Sequence, residues 1–521
     1  MKKFLAIMMA AVCCMAVGCS SSSSGNGGTE KMIVDLGSLM PTTNTTVTVD
    51  NPEVIQASRY VAQSYQEEYK KATGKDIKIE WATQYGRNAG DEIETVTQWY
   101  STKISSGTCP VIGYTALNYY QDKDWYIVLD DYLEKPNPYV KAGEAGSVHW
   151  KDMFYDYVWK DNTIKNVNGQ IIALPIVLSS GTQTGVYYNK DLVNSVPNNW
   201  SEFITVLDNL TTSTLIQPYS GYSTIGLYQW ALQFNLTPMV LQYMATEKTS
   251  EYYIDYDGDG ELTSLEVLRG VVEGKFDPTV YGSPAQQVYR EAYTYYKNYL
   301  KGNTWIGRDY KTMWDKGQLP MKEDGIWGVV MEENNTARNF DYGVFPMPVA
   351  DNNTFTHASA IEYYDNFEDI DCPVSVALNV MKPAVLNGDG SINQQKLDQA
   401  IDFLMYLTTV ENATEIAEEK GGTKGAVKGS GYNVLIDNEN IGWRKGKFAK
   451  ISYSASWPTG FTSANSSMIN KAFSLWVLGQ EGMTAEKFYQ QLKTSQTNGA
   501  WSFIEHFGID TTGWNIKWAK N

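Results

Sequence analysis

Between Asp255 and Glu266 the chain spaces oxygen-bearing side chains as a divalent cation requires. With Asp255 as position 1, Asp257, Asp259, Thr263 and Glu266 fall at positions 3, 5, 9 and 12, and Gly260 sits at position 6, where the loop turns sharply. Glu261 at position 7 offers a backbone carbonyl, and Leu262 at position 8 is placed to pack inward. Calcium takes about six to eight hard oxygens, and an EF-hand loop supplies them in this pattern. Asp255, Asp257, Asp259, Glu261, Thr263 and Glu266 are therefore the expected Ca2+ ligands. One loop without a paired partner suits a structural staple better than a sensor. A second acidic turn, Asn387–Gly390, reads as a plain loop.

No catalytic constellation accompanies this loop. His149, His357 and His506 have neither metal-ligand spacing nor a nucleophile motif beside them, and no phosphate-binding or nucleophile-elbow sequence is present. A glycosidase needs only two suitably placed carboxylates, so a glycan-cleaving enzyme stands as an alternative, but no pair is singled out and the chain is read as a non-enzyme. The aromatic content points elsewhere. The chain has 16 Trp and 36 Tyr against 16 Phe, which favours rings that pair a flat apolar face with a polar edge. Sugars present C–H faces and hydroxyl rims, so this bias tilts the reading toward carbohydrate.

The N-terminus says where such chemistry would take place. Lys2 and Lys3 precede an apolar run from Phe4 to Val17, too short for the roughly 20 residues of a membrane helix. A charged start, a short apolar run and small residues describe an export signal. Ala16-Val17-Gly18-Cys19 resembles the lipobox of bacterial lipoproteins. That resemblance implies removal of residues 1–18 as signal peptide and acylation of Cys19 by a diacylglycerol with chains such as palmitate. Residues 19–31 then form a Ser/Gly linker. The chain would be lipid-anchored on the extracytoplasmic face of the cell membrane, a Gram-positive outer surface being favoured over a periplasm. Loss of Lys2 and Lys3 takes the formal net charge from −17 to −19. A surface that acidic argues against nucleic-acid partners and against binding to anionic lipid. Cys109 and Cys372 remain in the mature chain, as one disulfide or as two buried thiols.

The elements that would hold these groups alternate in type. Met32–Leu36, Ile77–Trp81, Val111–Tyr114, Ile171–Leu174 and Val186–Tyr188 read as strands. Asn51–Thr73, Glu92–Ser105, Ser201–Leu210, Gln286–Leu300, Gln394–Thr409, Glu411–Glu419, Asn465–Leu478 and Ala485–Thr494 carry helical spacing. Strands alternating with helices predict a largely parallel sheet covered by helices.

Several stretches occur in an order seen in one family. Gly169–Pro175, Val186–Leu192 and Pro197–Phe203 together resemble the signature of family 1 extracellular solute-binding proteins, the sugar-capturing lipoproteins of ABC importers related to the maltose-binding proteins. Ile104–Pro110, Trp314–Trp327, Asp341–Pro348 and Ala400–Leu407 are similar to further family segments, with Val111 where the family has Asp. The resemblance implies an α/β fold of the periplasmic-binding-protein type II-like kind: two discontinuous α/β lobes joined by a hinge, with a ligand cleft between them. Residues 32–180 and 345–410 would form the first lobe, and 181–344 and 411–521 the second, which carries the calcium loop. Crossings are expected near Leu178–Gly185, Asp341–Pro346 and Leu407–Glu411. Larger relatives with such a loop bind long acidic oligosaccharides.

The resemblance also nominates stacking aromatics, Trp327 in the Gly-x-Trp segment and Trp457 before the penultimate helix. Loops at the carboxyl ends of parallel strands line ligand crevices, which adds Ser38, Gln84, Tyr85, Arg87 and Tyr114. Ser179 and Ser180 lie at the first crossing. The expected activity is capture of a carbohydrate, an oligosaccharide rather than a monosaccharide, by a monomer that delivers it to ABC permease subunits. A surface glycan-binding lipoprotein not coupled to transport and a binding protein for a non-sugar solute are the alternatives.

Overall fold

The computed structural model describes residues 29–43, 55–82, 93–114, 124–166, 168–178, 184–211, 219–220, 236–260, 262–298, 310–325, 328–346, 348–364, 372, 374–419, 424–431, 448–449, 457–458 and 463–520. Its strands are β1 (Glu30–Val34), β2 (Ile77–Trp81), β3 (Ile112–Gly113), β4 (Leu174–Leu178), β5 (Thr184–Asn189), β6 (Tyr219–Ser220), β7 (Met321–Gly325), β8 (Tyr342–Pro346), β9 (Tyr363–Tyr364), β10 (Val374–Val380), β11 (Lys424–Gly425) and β12 (Phe448–Ala449). One sheet has the order β11-β4-β10-β3-β1-β2 and another the order β6-β7-β5-β8. In the larger sheet β1 is parallel to β2 and β3, whereas β10 runs antiparallel to β3 and β4. The carboxyl ends of β1, β2, β3 and β4 therefore lie along one edge.

Hydrophobic periodicity explains how this sheet is covered. The Ala57–Thr73 helix turns Val61, Tyr65 and Tyr69 into the core and stops at Gly74, whose φ of 72° closes the last turn without a Cβ penalty. The Gln394–Leu407 helix begins where Asn393 accepts the amide of Lys396, and buries Leu397, Ile401 and Leu404. β4 starts three residues later than its expected position and includes Pro175. The two-residue β11 pairs only with Val177 and Leu178. Position 175 thus borders a locally open edge, where a missing N–H costs nothing.

The smaller sheet is apolar on both faces. Val186, Met321 and Phe345 belong to the second core, together with Trp200, Phe203, Phe473 and Phe488. Tyr187, Tyr342 and Val344 point the other way, into the cluster that also holds the large sheet. The chain passes from the large to the small sheet between Leu178 and Thr184.

Two lobe boundaries differ from expectation. Residues 345–361 stay with the second core, which includes Phe355, Ala358 and Ile361, and the return to the large sheet comes only at β10. Residues 411–427 belong with the first sheet rather than the second lobe. β11 extends that sheet beside β4, and Glu419 at the end of the Val410–Glu419 helix accepts the amides of Gln56 and Ala57 at 2.7 and 2.6 Å. The turns after Leu407 and before Val349 are locally good boundaries, and only long-range pairing shows that the chain does not cross there. Cys109 and Cys372 are both buried free thiols; burial pushes the Cys109 thiol up to about 12.

Candidate functional site

Connections from β1 run to one side and those from β3 to the other, so the strand order reverses between them. Open α/β sheets bind ligands at such a switch point, outside the carboxyl ends. Here the loop after β1 brings Gly37 and Ser38 beside Tyr114, which follows β3. Gly37 has a φ of 58°, and a Cβ there would collide with the Tyr114 ring. Gly37 thus provides both the left-handed backbone and the room for the aromatic ring.

A buried relay fixes this contact. Asp35 and Tyr100 are fully buried. The Tyr100 hydroxyl donates to Asp35 Oδ2 at 2.6 Å and accepts the Tyr114 amide at 2.8 Å. The other oxygen, Asp35 Oδ1, accepts the Gly37 amide at 2.9 Å. One carboxylate thereby holds both loops of the switch point, leaving Ser38 and Tyr114 half-buried at the edge. Asp35 and Tyr100 escape a motif search because one directly follows β1 and the other lies within the Ile93–Ser105 helix, and neither belongs to a recognisable motif. Their signal is a carboxylate just after a hydrophobic strand and a Tyr on the buried side of the helix that follows β2.

At the start of β11, Lys424 pairs with Leu178, the last residue of β4. Its ammonium lies 4.2 Å from the Tyr155 ring centre and 5.6 Å from that of Tyr157. The two rings stack with centroids 5.5 Å apart. Burial raises the Tyr155 hydroxyl above its usual value, with Cys372 adding to the effect.

A second charged group lies under β7. Lys322 contacts Glu332 at 2.6 Å and Asp324 at 3.2 Å, and Arg338 contacts the other Glu332 oxygen at 3.1 Å. Burial opposes charge on Lys322, but Asp324 and Glu332 outweigh it and hold its pKa above the ordinary value. Burial likewise opposes ionisation of Glu332, and Lys322 outweighs it, holding the carboxyl below the usual range. These side chains surround the stacked Tyr187–Tyr342 pair.

The acidic loop folds as a tight turn before the Ser264–Val272 helix. The carboxylate oxygens of Asp255, Asp257 and Asp259 lie within 4.8 Å of one another. Asp255 is buried and accepts the amides of Gly258 at 2.7 Å and Gly260 at 2.9 Å. Thr263 caps the helix, and Glu266 returns a bond to the Thr263 amide at 2.8 Å, completing a capping box. Leu262 is buried in the second core. Three converging carboxylates of oxygen-only donor type fit a hard divalent cation such as calcium.

The structure brings Ser38 and Tyr114 together. It places Trp457 elsewhere: the indole sits in the second core, donates to the Tyr289 hydroxyl at 3.0 Å and packs edge-on to Phe276. Cys19, Gln84, Tyr85, Arg87, Ser179, Ser180, Glu261 and Trp327 lie outside the described residues.

The two sheets, with β10 returning antiparallel into the larger one, define the α/β fold of type II-like solute-binding proteins. A family 1 extracellular solute-binding protein of Bifidobacterium longum subsp. infantis superposes with a TM-score of 0.52 and 14% identity, over 91% of this chain and 100% of that one. No protein-family model matches the sequence. No curated protein matches it either. No helix among the described residues is long and apolar enough to cross a membrane.

Proposed function

We propose that this protein is the substrate-binding lipoprotein of an ABC importer, held to the membrane through Cys19, and that it captures an oligosaccharide and delivers it to the permease. The observation that carries this reading is the braced switch point, where Asp35 and Tyr100 present Ser38 and Tyr114 at the carboxyl edge of a solute-binding fold. A ring with a polar edge beside a hydroxyl suits a pyranose, whose C–H face stacks while its hydroxyls form hydrogen bonds. Trp327, Gln84, Tyr85, Arg87, Ser179 and Ser180 would complete the site, and Trp457 would support it from the core. The test is calorimetry of the full chain against a panel of plant and host oligosaccharides. Heat of binding to at least one glycan, recovered uncut, is expected. Silence across the panel, or cleaved product, would overturn the reading.

The same proposal includes structural calcium in the 255–266 loop, held by Asp255, Asp257, Asp259, Thr263, Glu266 and the residue 261 carbonyl. Calcium should raise the melting temperature of the wild-type chain and leave that of Asp255→Asn unchanged. An equal response from both would remove the loop from consideration.

A further inference from the structure

The Ala57–Thr73 helix takes its N-terminal cap from a distant part of the chain. Gln56, just before it, gives no side-chain cap, and no acid lies in the first turn. The free N–H groups of a helix start need acceptors, and three other helices find one in the residue before them, Thr263, Asn393 or Thr484. Here the acceptor lies 363 and 362 residues further along: Glu419 Oε1 accepts the Gln56 amide and Oε2 the Ala57 amide.

Glu419 is badly placed for its own helix. It is the last residue of Val410–Glu419, and that last turn holds no basic residue. A carboxylate at a helix C-terminus is opposed by the dipole. The helix is crowded with acids as well: burial first, then the charges of Glu411, Glu418 and Glu419, raise the Glu415 carboxyl above its usual range. At the start of the Ala57–Thr73 helix the dipole is reversed and two charge-assisted bonds form. A residue that breaks a local rule in this way has its role elsewhere.

The turn that Glu419 caps holds the loop after β1. Ser58, only 2% exposed, donates from Oγ to the Leu39 carbonyl at 2.6 Å. Gln56 donates from Nε2 to the Thr42 carbonyl at 2.8 Å, and its Oε1 accepts Arg59 Nε at 2.8 Å. The Thr42 amide meets the Ile55 carbonyl at 2.8 Å. Leu39 and Thr42 follow Ser38 in sequence, and Gly37 before it is held by Asp35. Ser38 is thus fixed from both sides.

We infer that Glu419 is a positioning residue of the ligand site: its carboxylate caps the Ala57–Thr73 helix and, through Ser58 and Gln56, holds Ser38 at the switch point. This rests on the carbohydrate-binding reading above and names what fixes its site.

Hydrogen exchange of the full chain, read by mass spectrometry on peptides covering residues 36–42 and 57–62, compares wild type with Glu419→Gly and Glu419→Gln. In Glu419→Gly both peptides should exchange about tenfold or more faster, the span expected when a hydrogen bond to a charged group is lost, while β5 and β8 keep their wild-type rates. Acetate should refill the vacated place and slow exchange in this variant alone. Glu419→Gln, which keeps the size and one acceptor, should lie between. Calorimetry then uses the oligosaccharide panel, with maltohexaose, xylohexaose, cellohexaose and mannohexaose among its members. A sugar that binds wild type should bind Glu419→Gly about tenfold more weakly at unchanged stoichiometry, because the competent loop is less populated, and acetate should restore the affinity. Mere loss of folded protein would instead lower the stoichiometry and leave the affinity alone. That result, or wild-type exchange of residues 36–42 in both variants, overturns the inference and leaves the carbohydrate reading intact. Silence of every sugar with wild type removes the ligand role together with that reading.

Discussion

Single residues divide here into those that would touch a ligand and those that aim them. Tyr100 is an aiming residue: its hydroxyl joins the Tyr114 amide to Asp35. Tyr100→Phe removes one partner from the half-buried Tyr114 amide and one from the buried Asp35 carboxylate, at a cost of about 1–3 kcal/mol. The urea midpoint should fall accordingly, and glycan affinity should fall with it. Gly37→Ala should act differently, because the added methyl meets the Tyr114 ring. Displacement of that ring is expected to weaken binding by more than it lowers the midpoint, and an unchanged affinity would show that Tyr114 does not contact ligand. The ion group under β7 governs acid stability. Glu332→Gln strips Lys322 and Arg338 of their shared acid and should cost about 3–5 kcal/mol at neutral pH. The Glu332 carboxyl is lower in the folded than in the unfolded state. Its contribution is therefore complete above the ordinary carboxylate range and disappears as pH falls through the depressed folded value. Lys322 is shifted upward, so its share is complete below the ordinary lysine value and is lost only as pH rises through the higher folded one. Urea midpoints taken against pH should show wild type and Glu332→Gln well separated at neutrality and converging in acid.

Elements were legible in sequence wherever a local signal sets their ends. Ile77–Trp81 alternates and is bounded as expected, and the helix ending at Gly74 needed only its glycine. Where tertiary contacts set the limits, the sequence misleads. The last helix was expected to end at Thr494, before a polar run, yet it continues to Phe507 because Ser495, Gln496 and Thr497 are buried within it. Of the site, the strand-end loops were readable through the parallel-sheet rule. The strand β11 was not legible, since nothing in a short Gly- and Lys-containing stretch announces a strand beside β4. The exit helix of the acidic loop has a further consequence. Glu273 accepts the Asn515 amide at 2.9 Å, the Val272 carbonyl accepts the amides of Lys517 and Trp518, and Trp501 donates to the Trp518 carbonyl. The C-terminal segment is thus tied to the helix that follows the proposed calcium site. Calcium that orders the loop should slow amide hydrogen exchange at Lys517 and Trp518, and Asp255→Asn should abolish the slowing. Exchange at these amides that ignores calcium in the wild type would uncouple the C-terminal segment from the loop.

At the scale of the molecule, the small sheet decides how the two cores behave together. Its faces are not equivalent: Tyr187, Tyr342 and Val344 join the cluster that holds the large sheet, whereas Val186, Met321 and Phe345 join the other. Neither core can unfold alone without exposing one side of β5, β7 and β8. Each such strand residue buried on that side contributes about 1.5–3 kcal/mol, so partial unfolding forfeits several of them at once. The ligand-free chain should therefore lose its tryptophan fluorescence and its far-ultraviolet dichroism at one shared denaturant midpoint, as a single cooperative unit does. Tyr187→Ala opens a cavity on the face shared with the first core and should cost about 3–5 kcal/mol, the range for removing a buried ring. Lowering both signals together would confirm that the sheet couples the cores. A split into two transitions, with the dichroism of one core surviving loss of the other, would show that they stand independently and that the small sheet belongs to one lobe only.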